Sequence, residues 1–328
     1  MLVLGIESSA HTFGAGISEN RSIRANASRR YPIGAGGFVP SKLADFHAKA
    51  ASRVISDAIM AAGASLQEIG AIGYTKGPGM GACLRIGQLC ALSLAERLGV
   101  PVVPVNHALA HAEIARSMAR FSDPLVLYVS GGNTQILARE RHGAASIYRV
   151  YGETLDIGVG NMLDSFARSA RIMPAWGSGV ERASAGGSYL PLPYTVKGME
   201  MTFTGLFTSA TRLLSKGAPL RDVAFSIQHT AFAMLCEALE RALMLTRRRE
   251  LIACGGVAQS RMLQTMLREM CALHDTRFYV AADEYNADNG AMIALVAEMH
   301  IESGARLPAR ASCGIAQRFR IDTVKMAW

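Results

Sequence analysis

The fold of this chain follows from the stretch Leu125-Val-Leu-Tyr-Val-Ser-Gly-Gly-Asn-Thr-Gln-Ile-Leu-Ala138, in which two apolar runs flank a small polar turn. The runs Leu125–Val129 and Thr134–Ala138 have the length of buried strands, and Ser-Gly-Gly-Asn is a turn sequence. The chain opens in the same way, because the strand pattern Leu2–Ile6 precedes a small polar turn and the apolar run Phe13–Ile17. A strand–turn–strand unit that occurs twice predicts a duplicated lobe.

Helical and strand patterns alternate after both units. The first unit precedes a helix over Lys42–Ala62, with Ser41 as its predicted N-cap and Gly63 just past its end. A strand over Ala71–Tyr74, a helix over Ala82–Leu98, a strand over Val102–Val105 and a helix over His107–Ala119 follow. The second precedes helices over Asn161–Arg171, Gly179–Ala185 and Leu220–Thr246, a strand over Leu251–Cys254, a helix over Gln259–Leu273, a strand over Arg277–Val280 and a helix over Asn289–Glu302. This alternation predicts an α/β fold.

The composition restricts the classes of protein to consider. The chain has 328 residues, 50% of them hydrophobic, which is enough to bury one large core or two moderate ones. Its six cysteines form no CxxC pair, so we expect reduced thiols. The first apolar run lacks preceding basic residues and is interrupted by Glu7, and no run is long enough to span a bilayer. We therefore expect a cytoplasmic protein with no membrane association.

The net charge of +8 favours a polyanionic partner, because neutralised phosphates release counterions. The alternative is a solvated basic surface. The basic residues are partly clustered, in three groups: Arg21, Arg24, Arg29 and Arg30; Arg247 to Arg249; and Arg306, Arg310, Arg318 and Arg320.

The histidine pair His107 and His111 is a candidate metal site. Residues four apart lie on one face of a helix, so both imidazoles could reach one ion. The alternative is two unrelated histidines, one that caps the helix and one in the core. No glutamate follows His107 directly, so the zinc-protease motif HExxH and its general base are absent. A metal needs further ligands, and Asp288 is a candidate whose oxygen suits iron as well as zinc.

Two glycine turns, Gly131-Gly132-Asn133 and Gly255-Gly256, each follow an apolar strand. Their exposed backbone N–H groups could bind a phosphate or carboxylate. The alternative is a tight turn that needs a residue without a Cβ. Two such turns in related positions of a duplicated lobe predict a nucleotide cleft between the lobes.

Two further patterns are less specific. Gly77-Pro-Gly-Met-Gly-Ala82 fits the dinucleotide fingerprint GxGxxA, but the acidic residue expected about twenty positions on, Glu96, lies inside a predicted helix. A turn before a helix is the better interpretation. Asp156, Asp164 and Glu181 could each accept a ribose hydroxyl or complement a helix dipole, and their spacing does not separate these roles.

Taken together, the motifs resemble one family from Met1 to Trp328. The matching segments are Ile6-Glu-Ser-Ser-Ala-His-Thr12, Asn106-His-Ala-Leu-Ala-His111, Tyr128-Val-Ser-Gly-Gly-Asn-Thr-Gln135, Gly152-Glu-Thr-Leu-Asp-Ile-Gly158, Leu192-Pro-Tyr-Thr-Val-Lys-Gly-Met199 and Asp288-Asn-Gly-Ala-Met292. The family is the tRNA N6-adenosine threonylcarbamoyltransferases, formerly called O-sialoglycoprotein endopeptidases. The Ala-His-Thr turn and the ending Phe319-Arg-Ile-Asp…Trp328 resemble the archaeal-type catalytic subunit of the KEOPS complex.

The resemblance implies an actin- and Hsp70-like ATPase fold with two lobes, 1–123 plus 304–328 and 124–303. It also implies a reaction. A separate synthase makes threonylcarbamoyl-adenylate, and this chain transfers the threonylcarbamoyl group to N6 of adenosine 37 in tRNAs that read ANN codons. The implied partners are tRNA and three KEOPS subunits: a kinase-like ATPase, a small dimerising subunit and a tRNA-binding subunit.

The resemblance further implies one divalent metal ion, iron first and zinc second, and a site for threonylcarbamoyl-adenylate or ATP. The implied metal ligands are His107, His111, Tyr128 and Asp288. The implied nucleotide-binding residues are Tyr128, Val129, Ser130, Gly131, Gly132, Asp164, Gly177, Glu181 and Ser260.

Three positions depart from the family pattern. Ala175-Trp-Gly-Ser178 stands where the family has Pro-Gly-Gly-Pro, so Trp176 places a ring beside the expected nucleotide. Ser260 replaces an asparagine, and His229 replaces a glutamate after Gln228. Two other functions stay open: a non-catalytic scaffold of a tRNA-modifying complex, and an ATPase or kinase of the same fold that acts on a small molecule.

Overall fold

The computed structural model describes residues 1–32 and 39–328. The described first half contains β1 Leu2–Glu7, β2 Thr12–Glu19, β3 Ser22–Arg30, α1 Pro40–Ala61, β4 Ile69–Gly77, α2 Gly81–Leu98, β5 Val102–Asn106 and α3 His107–Ala119. The second half contains β6 Leu125–Val129, β7 Thr134–His142, β8 Ala145–Glu153, α4 Val159–Ser169, α5 Gly177–Ala183, β9 Val196–Lys197, β10 Glu200–Met201, α6 Thr204–Ser215, α7 Leu220–Thr246, β11 Glu250–Cys254, α8 Arg261–Leu273, β12 Arg277–Val280, α9 Asp283–Asn286 and α10 Gly290–Glu302.

The two five-stranded sheets have the same topology. The first has the order β3-β2-β1-β4-β5 and the second the order β8-β7-β6-β11-β12. In each, the first three strands form an antiparallel meander. The last two strands run parallel to the first strand of that meander. Two sheets with one topology, in chain order, confirm the predicted α/β duplication.

The last helix of each half packs on the sheet of the other half. α3 follows β5 but packs against β11, β6 and β12, and α10 follows β12 but packs against β1 and β2. Glycines permit this approach, because a Cβ on Gly5 would lie 2.1 Å from the backbone nitrogen of Ala294. The predicted lobe 124–303 includes α10, whereas this packing places α10 on the first sheet. The other lobe limits, 1–123 and 304–328, stay a prediction.

The segment after α10 contacts both halves. The Tyr74 hydroxyl donates to the carbonyl of Gly314 at 2.8 Å, beside the first sheet. The backbones of Ser146 and Met326 then exchange two hydrogen bonds at the free edge of β8. The C-terminal residues therefore join the two sheets.

Several details differ from the sequence prediction. α1 begins at Pro40 with Val39 as N-cap, so Ser41 lies inside the helix instead of capping it. Gly63 has φ +65° just past α1, as expected. β3, β8, α6 and the β9–β10 hairpin were not predicted. Among the described helices, none is both long and apolar enough to cross a membrane.

Candidate metal centre and nucleotide cleft

α3 holds the two histidines of the candidate metal centre. The Asn106 side chain caps the helix by accepting a hydrogen bond from the backbone N–H of Leu109 at 3.0 Å. His107 and His111 are both buried, one turn apart, and their ring centroids lie 4.7 Å from each other at 87°. The predicted helical pairing of the histidines is confirmed.

Asp288 reaches the same point from the start of α10. Its Oδ1 lies 3.5 Å from Nε2 of His107 and 3.4 Å from Nε2 of His111. The next residue, Asn289, caps α10 by accepting from the backbone N–H of Met292 at 2.9 Å. One ligand atom from each of the three side chains lies within 4.8 Å of the others. The two crossing helices, α3 and α10, thus bring their N-terminal ends together at one metal-sized cluster.

Tyr128 tests whether a metal fits this cluster. It is the second-to-last residue of β6, and its ring centroid is 5.5 Å from that of His111. Its hydroxyl is buried near the Ser130 side chain but makes no hydrogen bond of good geometry with the described residues. A buried hydroxyl without a partner is costly, and a bound ion would satisfy it. Two imidazoles, a carboxylate and a phenol oxygen form a donor set that suits iron or zinc.

Glu7, at the end of β1, is the functional residue that the sequence did not single out. Its Oε2 lies 3.0 Å from Nδ1 of His107 and accepts from the Thr75 hydroxyl at 2.6 Å, while Oε1 accepts from the backbone N–H of Ser9 at 2.6 Å. A carboxylate on one imidazole nitrogen directs the other nitrogen toward a metal. The carboxyl end of a buried strand was the signal that could have identified it.

The charges of this cluster are interdependent. Burial lowers the pKa of His107, but Glu7, Tyr128 and Asp288 together outweigh it and hold that pKa well above the ordinary histidine value. Burial lowers the pKa of His111, which favours the neutral imidazole that binds metals. Burial would raise the pKa of Asp288, but its contacts with both histidines hold that pKa well below the usual range. Asp288 is therefore held as a carboxylate and His111 as a neutral imidazole, whereas His107 carries a proton that an incoming metal ion must displace.

The glycine turn between β6 and β7 lies next to the centre. Ser130 and Asn133 close it, because the Ser130 N–H donates to the carbonyl of Asn133 at 2.8 Å and the Asn133 N–H donates to the Ser130 hydroxyl at 3.1 Å. A Cβ on Gly131 would meet only Asn161, at 3.1 Å, and one on Gly132 would have no neighbour closer than 4.0 Å. The face of the turn is therefore open to a ligand.

The start of α4 supports the turn from the other side. A Cβ on Gly158 would lie 2.5 Å from the carbonyl oxygen of Gly131, and one on Gly160 would lie 2.6 Å from that of Ser130. Gly255 has φ +94°, and a Cβ added to it would lie 2.3 Å from the carbonyl oxygen of Val129. Both predicted glycine turns thus meet where β6 ends.

The remaining predicted nucleotide residues take part in two side-chain contacts. Asp164 accepts from the backbone N–H of Gly177 at 3.0 Å, and burial raises the pKa of its carboxyl to about 6. Glu181 accepts from the backbone N–H of Arg261 at 3.0 Å, next to Ser260, whose buried hydroxyl has no partner among the described atoms. Both contacts involve α5, because Gly177 is the first residue of this helix and Glu181 lies within it.

Asp156 has a different role from its neighbours. Its carboxylate accepts from the backbone N–H groups of Ile157, Phe203 and Thr204 at 2.7 to 2.9 Å. It therefore caps the start of α6, which resolves the alternative left open by the sequence in favour of a helix cap.

Trp176, the ring that departs from the family pattern, faces the first half of the chain. It is half-buried at the N-cap of α5, and its ring centroid lies 6.3 Å from that of His11 in the β1–β2 turn. Burial lowers the pKa of His11. The pair spans the space between the two sheets at the edge of the cleft.

Comparisons with known proteins agree with these observations. A family model described as tRNA N6-adenosine threonylcarbamoyltransferase matches residues 21–295. A protein of that name from Thermofilum pendens is 44% identical over 99% of this chain and 96% of its own length. A probable bifunctional tRNA threonylcarbamoyladenosine biosynthesis protein from Thermoplasma volcanium is 44% identical over the whole chain, which spans 62% of that protein.

Among solved structures, HypF of T. kodakarensis superposes on 92% of this chain and 48% of its own, with a TM-score of 0.64 and 14% identity. At that identity the likeness concerns the fold alone. The chain has the duplicated, two-lobed fold of the actin- and Hsp70-like ATPases, as the sequence predicted.

Proposed function

Because this chain belongs to the tRNA N6-adenosine threonylcarbamoyltransferase family, we propose that it transfers threonylcarbamoyl from threonylcarbamoyl-adenylate to N6 of adenosine 37 in tRNAs that read ANN codons. The observation that carries the proposal is the cluster of His107, His111 and Asp288 beside the unpartnered hydroxyl of Tyr128. A scaffold would not need two buried imidazoles and a carboxylate with ligand atoms within 4.8 Å of one another.

The reaction balances as an acyl transfer. N6 of the adenosine attacks the carbamoyl carbonyl carbon, and a C–N bond forms. The C–O bond to the adenylate phosphate breaks, AMP leaves with its electron pair, and N6 releases a proton. The protein must hold two substrates at one carbonyl and stabilise the charge that develops on the carbonyl oxygen.

The metal ligands are His107, His111, Tyr128 and Asp288 in this proposal. A bound iron or zinc ion would act as a Lewis acid on the carbonyl oxygen. Glu7 fixes the orientation of His107 through the 3.0 Å contact with Nδ1. The elements that carry these residues are rigid, since β1, β6, α3 and α10 all pack in the buried core between the sheets.

The adenylate lies along the glycine turn in this proposal. Gly131 and Gly132 leave room for the phosphate, and the backbone of Tyr128–Gly132 lines it. Asp164, Gly177, Glu181 and Ser260 surround the nucleoside. The unpartnered Ser260 hydroxyl supports this assignment, because a ligand group would satisfy it.

The partners follow from the family and the charge. The net charge of +8 favours tRNA as a partner. We expect the chain to act in the cytoplasm in a KEOPS complex, together with its kinase-like ATPase, its dimerising subunit and its tRNA-binding subunit. The upstream synthase is a separate protein in this scheme. This chain spans only 62% of its bifunctional relative, so the activity of that longer protein is not assumed for it.

The test is mass-spectrometric detection of threonylcarbamoyladenosine in unmodified ANN-reading tRNA. The chain is incubated with the synthase, threonine, bicarbonate, ATP and the KEOPS partners, with and without a chelator. We expect product that the chelator abolishes and that His111→Ala abolishes. His142→Ala, an exposed histidine at the end of β7, is the matched control and retains activity.

Other results would identify the alternative functions. Product formation by His111→Ala at the wild-type rate would eliminate the metal role. No product from a working complex would favour a scaffold, and phosphorylation of a small metabolite without tRNA would favour a kinase.

A further inference from the structure

A separate cavity of about 420 Å³ opens between the two halves of the chain. Its lining includes Asn133, Gln135, Gln317, Arg318 and Phe319, and its inner wall includes Ala108. We call it the interlobe pocket. None of these residues belongs to the metal ligands or to the predicted nucleotide site.

The interlobe pocket lies beside the metal centre. Ala108 directly follows the ligand His107 in α3, and Asn133 directly follows the open Gly131-Gly132 turn. The pocket therefore adjoins the proposed metal centre at Ala108 and the proposed phosphate site at Asn133.

The outer wall of the pocket is built by the C-terminal segment. The Asn106 amide donates to the carbonyl of Phe319 at 2.9 Å, and the Gly79 N–H donates to the carbonyl of Gln317 at 3.2 Å. These bonds anchor the segment to the cap of α3 and to the loop before α2. The wall is thus fixed to the helix that carries the metal ligands.

The side chains of the pocket have hydrogen-bonding capacity to spare. Within the described part of the chain, the side chains of Asn133, Gln317 and Arg318 have no hydrogen-bond or ion-pair partner. Gln135 uses its amide N–H to reach Glu153 at 2.9 Å, which leaves its oxygen as an acceptor. Carboxamides that can both donate and accept match the edge of a nucleobase.

The pocket also offers an aromatic face and positive charge. Phe319 lines it, and the Lys76 ammonium lies 5.2 Å from the centroid of that ring. Arg318 is exposed at the rim. An aromatic ring for stacking, carboxamides for base edges and nearby cations for phosphates are the combination that binds unpaired bases of RNA.

We propose that the interlobe pocket receives the acceptor nucleoside, an unpaired purine of an RNA chain, so that its exocyclic amine is presented to the metal centre. This inference rests on the proposed transferase function, which requires a second substrate next to the adenylate. The two substrates then approach one carbonyl from opposite sides of the α3 N-terminus: the adenylate from the glycine turn, the base from the pocket.

The kinetic test uses the assembled complex with saturating threonylcarbamoyl-adenylate and varied tRNA. Phe319→Leu and Gln317→Ala should each raise the KM for tRNA about tenfold, as loss of a stacking or base contact does, with kcat within twofold of wild type. Gln67→Ala, an exposed glutamine outside the pocket, is the matched control and should leave KM unchanged. An unchanged KM in both pocket variants overturns the proposal.

A direct test does not depend on turnover. A stem-loop RNA with 6-thioguanosine in place of adenosine 37 is bound to the assembled wild-type complex and irradiated at long wavelength. Cross-links at Asn133 or within residues 317–319 support the pocket, whereas cross-links on this chain only elsewhere, or none, overturn it. If wild-type complex makes no threonylcarbamoyladenosine, the proposed function fails, and the cross-link still decides whether the pocket binds the base.

Discussion

The carboxylate of Glu7 lies 3.0 Å from Nδ1 of His107, although the two residues are a hundred positions apart. The contact links the end of β1 to the start of α3 and leaves Nε2 of His107 directed at Asp288. Because Thr75 and Ser9 donate to the same carboxylate, the orientation of the imidazole is set by two segments of the first half, the end of β1 with its following turn and β4. Hydrogen bonds within the protein therefore fix the orientation of the His107 ring.

Glu7→Gln should weaken metal binding while the protein stays folded. The amide keeps the size of the side chain but replaces an oxygen acceptor with an N–H donor, which disturbs the contact with His107. Loss of such a supporting partner lowers metal affinity roughly 10–100-fold. Competition with a chelator of known affinity measures it. Glu269→Gln, on the exposed face of α8, is the control, and equal affinities of the two variants would contradict the role of Glu7.

Tyr128→Phe should have opposite effects on the metal-free and metal-loaded protein. The hydroxyl is buried without a partner among the described residues, so its removal should raise the free energy of unfolding of the metal-free protein by about 1 kcal/mol. If the hydroxyl is a ligand, the variant should gain less stability from metal than wild type does. Urea denaturation with and without metal measures both effects. Equal gains would remove Tyr128 from the ligand set.

The sequence predicted the parts of this site that depend on local pattern. His107 and His111 share a helix face because of the helical period, and the glycine turns follow from their flanking strands. The contact between Glu7 and His107 could not be predicted in this way, because it depends on how β1 and α3 pack. The packing of α3 and α10 on the sheet of the other half is equally non-local, so a boundary drawn along the chain cannot anticipate it.

The unpredicted strands have a different explanation. β3 and β8 end their meanders at the sheet edge; five of the nine residues of β3 are exposed, and six of the nine residues of β8 are only partly buried. Their apolar alternation is therefore weak, whereas β1 and β6, which lie at the sheet centres, are almost entirely buried.

Trp176→Gly should accelerate nucleotide exchange. The Trp176 ring lies 6.3 Å from His11 and narrows the space between the two halves, so its removal opens a route to the glycine turn. We expect both the association and dissociation rates of a fluorescent adenosine nucleotide to rise several-fold, with a smaller change in Kd. Stopped-flow fluorescence measures the rates. Trp176→Phe keeps an aromatic ring and should stay close to wild type; the same acceleration in both variants would show that the ring is not the barrier.

Gly5→Ala should destabilise the fold through the crossing helix α10. The new methyl group would lie 2.1 Å from the backbone nitrogen of Ala294, and neither backbone can move without separating α10 from β1. We expect a loss of about 3 kcal/mol in the free energy of unfolding, at the upper end for overpacked cores. Gly205→Ala makes the same chemical change in α6, where no atom lies within 4 Å, and should be neutral or slightly stabilising. Thermal and urea unfolding of both variants test the difference.

Asp164→Asn should change how stability depends on pH. Burial raises the pKa of the Asp164 carboxyl in the folded protein to about 6, above its ordinary value near 3.8. The folded state therefore binds this proton more tightly than the unfolded state does. The stabilisation that the folded protein gains from this proton is fully present below about pH 4 and is lost as the pH rises through 6.

Asparagine cannot ionise but can still accept a hydrogen bond from the N–H of Gly177. The variant should therefore not lose stability as the pH rises through 6. Between pH 5 and pH 8 the free energy of unfolding of the wild type should fall by about 1 kcal/mol more than that of the variant. Urea denaturation of both proteins at the two pH values measures the difference. The contributions of all other titrating groups are the same in both proteins and cancel in the comparison. A constant difference between the two proteins would mean that Asp164 is already ionised at pH 5, and that its carboxylate is better solvated than its position between α4 and α5 implies.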